Sequence, residues 1–208
     1  MPALRGSLTY TRFFVEGVLP DELHTRLLKA IRQKVMRPLE PDEEALERSG
    51  WCRIGEPMEL ELEFEDVVYN NYVNLGFRTD RWVIPGPLLR TKMREAERAY
   101  LQKKGRERIT RKERAELKEL VSKRLRRQME PRTTAVDFSW SLDEGLVRFF
   151  SASPKLGALL EDHFTKTFPS LRLVPESPYT LATRLGLSKT ASAAWDEMEP
   201  ISLAAEGA

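Results

Sequence analysis

Chemistry-bearing residues are scarce in these 208 amino acids. One cysteine, Cys52, permits no internal disulfide and no cysteine-rich metal site. It follows Trp51 with no CxxC partner, so it reads as a packed thiol and not as a nucleophile. His24 and His163 are the only histidines. They fall on separate predicted helices, where packing or surface roles outweigh ligation and general-base work. No Walker A, GxGxxG, HExxH or GxSxG pattern occurs. No apolar run reaches eighteen residues, so no membrane span is predicted. The opening MPALRGSLTYTRFF lacks the basic region and apolar stretch of a signal peptide. The expectation is a cytoplasmic, non-enzymatic protein with no cofactor and no metal.

What is present is charge, unevenly spread. The chain has 34 basic and 32 acidic residues, a net charge of +2. Residues 88–132 hold 17 of the Lys and Arg against 7 Glu, a local +10, which leaves 17 basic and 25 acidic elsewhere, or −8. The near-neutral total hides a polarised molecule.

The pattern along the chain predicts an α+β fold. It consists of antiparallel sheet units with packed helices and a long basic helical hairpin inserted between them. Residues 1–85 form the first unit. Ser7 to Gly17 is aromatic and β-branched and reads as a strand. Asp21 is a helix N-cap, and Leu23, Leu27, Ile31 and Val35 recur every four residues as a buried stripe. Ser49-Gly50-Trp51 and Gly55-Glu56-Pro57 read as turns. Leu60, Leu62 and Phe64 alternate with Glu59, Glu61, Glu63 and Glu65, which predicts a half-exposed strand with its acids solvated. Tyr72 to Val83 reads as a strand pair turning near Thr79-Asp80.

Residues 86–132 form the hairpin. Pro87 suits a first helical turn, and Leu89, Met93, Ala96 and Tyr100 make one stripe. Gly105 stops that helix. Thr110 to Glu113 fits the S/T-x-x-E capping box of a second helix, with Leu117, Val121, Leu125 and Met129 spaced by four. The short connection predicts an antiparallel pair. Residues 133–187 then read β-β-α-β-α, with Leu142 to Gly145 as a hairpin turn and a sheet that extends the first unit's. Residues 188–208 are small and acidic and read as a flexible tail.

Only the hairpin carries a functional signal. Arg90, Arg94, Arg98, Lys103, Lys104, Arg106, Arg108, Arg111, Lys112, Lys118, Lys123, Arg124, Arg126, Arg127 and Arg132 are the candidate phosphate contacts. Many are Arg, which grips phosphate with two hydrogen bonds. A helix pair of net +10 repels itself unless an anion compensates, and a polyanion binds such a surface by counterion release. No helix-turn-helix spacing, zinc finger or ribonucleoprotein motif accompanies it, so nothing reads base sequence. The alternative is a protein-interaction module whose hairpin docks an acidic partner, or this chain's own acidic unit.

Several stretches carry a family resemblance through their order and spacing. They are Ser49-Gly50-Trp51, WVIPGPLLRTKMREAE, ITRKERAELKE, the MEPR turn, GLVRFFSAS and LRLVPESPYTLATRL. Across residues 5–187 the chain resembles the recombination-associated protein RdgC family. The resemblance implies a dimer that binds double-stranded DNA without sequence preference. In the family a positively charged central hole encloses the duplex. It further implies a role in recombination or nucleoid organisation and restraint of RecA-driven strand exchange, with the hairpin cations and Arg132 facing the hole. Two departures stand out. Thr133 and Thr134 occupy the place of the family's aromatic wedge, so bending by insertion is not implied. The chain also reads as a short form without the family's C-terminal region, which contributes to dimer contacts and ring closure.

Overall fold

The computed structural model describes residues 8–18 and 23–198, without the side chains of 23–25. The Asp21 cap, the side chains of Leu23 and His24, and the end of the tail from Glu199 lie outside the described residues. The fold is α+β. One antiparallel sheet is built from β1 (Thr11–Gly17), β2 (Glu47–Cys52), β3 (Val68–Tyr69), β4 (Tyr72–Arg81), β5 (Arg132–Ser141), β6 (Leu146–Phe149) and β7 (Leu171–Pro175). The strand order is β2-β4-β5-β6-β1-β7, with β3 paired to β4 as a short hairpin.

The two sequence units are halves of this one sheet. β4 and β5 pair along ten residues, from Tyr72 opposite Ser141 to Arg81 opposite Arg132. β1 leaves the other early strands and lies between β6 and β7. The N-terminal unit therefore has no sheet of its own.

Alternation along the strands decides the core. Phe77, Val136 and Trp51 share a face with Phe138, Trp140, Val147, Phe149 and Phe13, all but Val136 buried to 1% exposure or less. Helices α1 (Leu23–Gln33) and α5 (Pro154–Thr167) cover that face with Leu27, Ile31, Leu160 and Phe164. Trp51 sits at its centre, edge-on to Phe77, and donates its Nε1–H to Thr167 Oγ1 at 2.9 Å. Truncating such a ring costs about 3–5 kcal/mol.

Four sequence expectations are corrected. Ser49-Gly50-Trp51 is not a turn but the interior of β2. Gly50 is glycine because the Met36 backbone crosses it, with a Cα only 2.5 Å from where a Cβ would stand. That approach lets Trp51 exchange backbone hydrogen bonds with Lys34 and Met36. Residues 60–65 do not form a strand. The segment is irregular and ends in a short helix, α2 (Phe64–Val67), whose start is fixed by the Glu63 N–H donating to Asp66 Oδ2 at 3.0 Å. Leu62 is buried as expected, whereas Phe64 is exposed.

Tyr72 to Arg81 is one continuous strand, and the chain reverses instead at Asn70, whose φ of 50° is left-handed. Thr79 and Asp80 resemble a turn only in composition. Both are buried, Thr79 against Ser49 Oγ at 2.9 Å. The start of the tail also folds. After α6 (Pro178–Leu185), Ser188 caps a further helix, α7 (Lys189–Asp196), by accepting from the Ala191 N–H at 3.2 Å. Among the described residues no helix is long and apolar enough to cross a membrane.

Candidate nucleic-acid interface

The basic hairpin leaves the sheet between the end of β4 and the start of β5. Its helices are α3 (Gly86–Lys104) and α4 (Arg111–Arg126). They pack chiefly on each other, as the short connection predicts. The apolar stripes of the pair are Leu89, Met93, Ala96 and Tyr100 on α3 and Leu117, Val121 and Leu125 on α4. All but Leu125 are only half-buried, and α3 has no fully buried residue. A two-helix layer has no third element to cover its seam, so its margins stay open as grooves.

Caps fix the tip. Gly105 ends α3 at φ 61°, in the left-handed region that favours glycine. The predicted capping box forms: the Glu113 N–H donates to Thr110 Oγ1 at 3.2 Å, and the Thr110 N–H donates to Glu113 Oε2 at 2.9 Å. Glu113 also accepts from the Tyr100 hydroxyl at 2.7 Å and from Arg106 Nη1 at 3.3 Å. Backbone and side-chain donors from Thr110, then Tyr100 and Arg106, hold its carboxyl down at about 2. One carboxylate thus ties the two helices together at the tip.

Arg126 anchors the root. It was expected to face an anion, but it is 4% exposed and donates from Nη1 to the Glu43 carbonyl at 2.8 Å. Its helix position turns it to the body, so it is a structural residue and not a phosphate contact. Its neighbour Arg127 stays exposed and reaches both carboxylate oxygens of Asp42 at 2.9 Å. Arg106 is engaged by Glu113, and Lys123 by Glu119 at 2.9 Å. The other candidates divide by position. Arg90, Arg94 and Arg98 on α3, Arg111, Lys112, Lys118 and Arg124 on α4, Lys103, Lys104 and Arg108 around the tip, and Arg132 at the root are all exposed. They make no ion pair among the described residues.

Those cations do not surround the hairpin evenly. One groove between the helices, of about 530 Å³, has Leu89, Met93 and Ala115 as its floor and Arg90, Arg94, Arg111, Arg114 and Lys118 at its rim. Glu97 is its one acid, held by Arg114 Nε at 2.8 Å. The opposite groove, of about 310 Å³, has Lys92 and Arg124 against Glu95. Lys92 is already paired with Glu95 at 2.8 Å. A third recess, of about 370 Å³, lies where Leu46, Trp82 and Ile84 of the body meet α4. It shares Ala115 and Lys118 with the basic groove, so the two form one trough along the same side of α4.

Sequence reasoning missed Arg114 and this asymmetry. The signal was present: Arg90 and Arg94, like Arg111, Arg114 and Lys118, stand three or four residues apart and therefore share a helix face. Elsewhere, among the described residues, no three His, Cys, Asp or Glu side chains gather to hold a metal ion. Cys52 is buried, and desolvation pushes its thiol up to about 12. His163 packs edge-on to Trp51 and contacts the Lys34 carbonyl through Nε2 at 3.1 Å. Compared with known proteins, the chain matches no family model, and no curated protein matches it.

Proposed function

We propose that this chain binds the phosphate backbone of double-stranded DNA through the α3–α4 hairpin, without reading sequence. The observation that carries this reading is the basic groove, where five cations face one acid and only Arg114 is neutralised. Arg90, Arg94, Arg111 and Lys118 remain open to an anion. A helix of 19 residues runs for about 28 Å at ~1.5 Å per residue. Duplex DNA presents one charge per ~1.7 Å of axis, so that length matches a dense row of phosphates. The groove contains no aromatic side chain for base stacking and no Asn or Gln suited to a base edge.

On this reading the protein is not an enzyme. It is a cytoplasmic, nucleoid-associated protein acting in recombination, and the resemblance to the RdgC family supports restraint of RecA-driven exchange. The test is the salt dependence of binding to random-sequence duplex. Four groove cations predict a slope of log K against log[salt] of roughly −3 to −4, at about −0.9 per phosphate neutralised. A flat dependence, or unchanged affinity after Arg94→Glu with Lys118→Glu, overturns the proposal.

A further inference from the structure

The trough beside the hairpin has an apolar floor, which a phosphate backbone does not use. Leu89, Met93 and Ala115 form it, and Trp82 and Ile84 continue it toward the body. A polyanion satisfies the rim and leaves that floor in water. A segment that is both acidic and apolar satisfies both, and this chain carries one on its own surface.

From Glu56 to Asp66, six of eleven residues are acidic and none is basic. Arg53 engages Glu56 and Asp66, and Arg32 engages Glu63. Glu59, Glu61 and Glu65 make no ion pair among the described residues, and Met58 beside them is 67% exposed. No residue of the segment lines its own hairpin's trough. The Arg53 N–H donates to the Glu59 carbonyl at 3.1 Å and Arg32 Nε donates to the Leu62 carbonyl at 2.7 Å, which pins it to the body. It then enters β4 through α2 and β3, whereas the hairpin leaves from the other end of β4. Arg78 Nη1 donates to the Pro57 carbonyl at 3.0 Å, a third pin on the same body.

We infer that the acidic loop Glu56–Asp66 of one copy docks in the hairpin trough of a second copy. Glu61 and Glu65 meet the rim cations, and Met58 covers part of the apolar floor. Two-fold symmetry makes the contact reciprocal, each hairpin holding the other copy's loop, so the pair closes. The trough then serves two ligands in competition, the partner's acidic loop and a nucleic-acid backbone. The inference stands on complementarity of charge and apolar surface and does not rest on the nucleic-acid reading.

Light scattering behind size-exclusion chromatography tests it. At low salt the wild-type chain elutes at twice its 24.0 kDa mass. High salt screens the contact and returns the single mass. Glu61→Lys with Glu65→Lys gives the single mass at low salt, and so does Arg94→Glu with Lys118→Glu. All four positions are exposed, and circular dichroism checks that both variants fold. Mixing the two variants restores the double mass, because the reversed loop of one fits the reversed trough of the other. A wild-type chain of single mass at low salt, a loop variant that stays paired, or a mixture that stays single overturns the inference. Duplex binding by the loop variant, whose trough is intact, reads the nucleic-acid proposal separately.

Discussion

Arg78 and Asp80 stand two residues apart on one face of β4, joined fork to carboxylate. Nε reaches Oδ1 at 2.8 Å and Nη2 reaches Oδ2 at 2.6 Å. Asp80 is fully buried and Arg78 nearly so. The Thr133 hydroxyl on β5 donates to the same Oδ1 at 2.8 Å, and Arg78 Nη1 donates to the Pro57 carbonyl at 3.0 Å. Asp80 therefore ties together the two strands from which the hairpin springs. Removing one member of a buried pair strands the other charge, at a cost of about 3–5 kcal/mol. Asp80→Ala is expected to lower stability by that amount in urea unfolding. Thr133→Val, which removes one bond, is expected to cost about 1 kcal/mol. An Asp80→Ala loss below that of Thr133→Val contradicts this assignment.

The same residues show where sequence reading stops. The hairpin was legible because local signals agree: a four-three spacing of apolar residues, a glycine stop, and the Thr110–Glu113 box. The β-β-α-β-α run was legible for the same reason. What misled was composition without context. Thr79-Asp80 has turn chemistry, yet Arg78, Ser49 and Thr133 satisfy both side chains inside a strand. Gly50 suggests a turn until the Met36 backbone is seen against it. Only tertiary contacts carry that information. The site divides likewise. That the hairpin is basic was plain, but which cations open into a groove depends on how α4 is rotated. That rotation buries Arg126 and exposes Arg124.

His163 makes stability depend on pH. Burial between Trp51 and Phe77 pushes its pKa down to about 4 from 6.5, and its contact with the Lys34 carbonyl requires a proton on Nε2. Between those values the unfolded chain takes up a proton that the folded chain refuses. Stability from this site is complete above pH 6.5 and falls as pH drops to 4, by at most about 3 kcal/mol. Urea midpoints across that range should fall for the wild type and fall less for His163→Gln. Equal slopes in the two proteins contradict the assignment.

Cys52 should be inert while the protein is folded. Its neighbour across the ladder is Gly76, and a Cβ there would lie 2.6 Å from the thiol sulfur, so the group is closely enclosed. With the thiol pushed to about 12, almost no thiolate exists at neutral pH. A chromogenic disulfide should label no thiol in buffer and one thiol per chain in denaturant. Rapid labelling of folded protein would show that this end of β2 opens.

Glu113 gives the hairpin tip an acid limit. Its carboxyl is held at about 2 by the Thr110, Tyr100 and Arg106 donors, below the ordinary 4.5. A lowered carboxylate pKa contributes stability above the unfolded value, and that contribution is lost as pH falls through the folded one. Carboxyl-carbon NMR should place the Glu113 midpoint near 2, and Tyr100→Phe should raise it by removing one donor. A midpoint at 4.5 in the wild type would mean that the tip is not closed.

Arg126 and Arg94 should separate folding from binding. Arg126 is buried at the hairpin root, its Nη1 bonded to the Glu43 carbonyl, and its Nε has no partner among the described residues. Arg94 is exposed at the groove rim and makes no ion pair there. Arg126→Ala removes a buried hydrogen bond to a charged group, worth about 1.5–3 kcal/mol, and should lower the melting temperature. Arg94→Ala should leave melting unchanged, since exposed substitutions usually shift stability by no more than ~0.5 kcal/mol. If duplex lies in the groove, Arg94→Ala should also flatten the salt slope by about 0.9. Arg126→Ala, at a temperature where it stays folded, should leave that slope unchanged. The reverse pattern would place the anion contact at Arg126 on the hairpin root and not at the Arg94 rim of the groove.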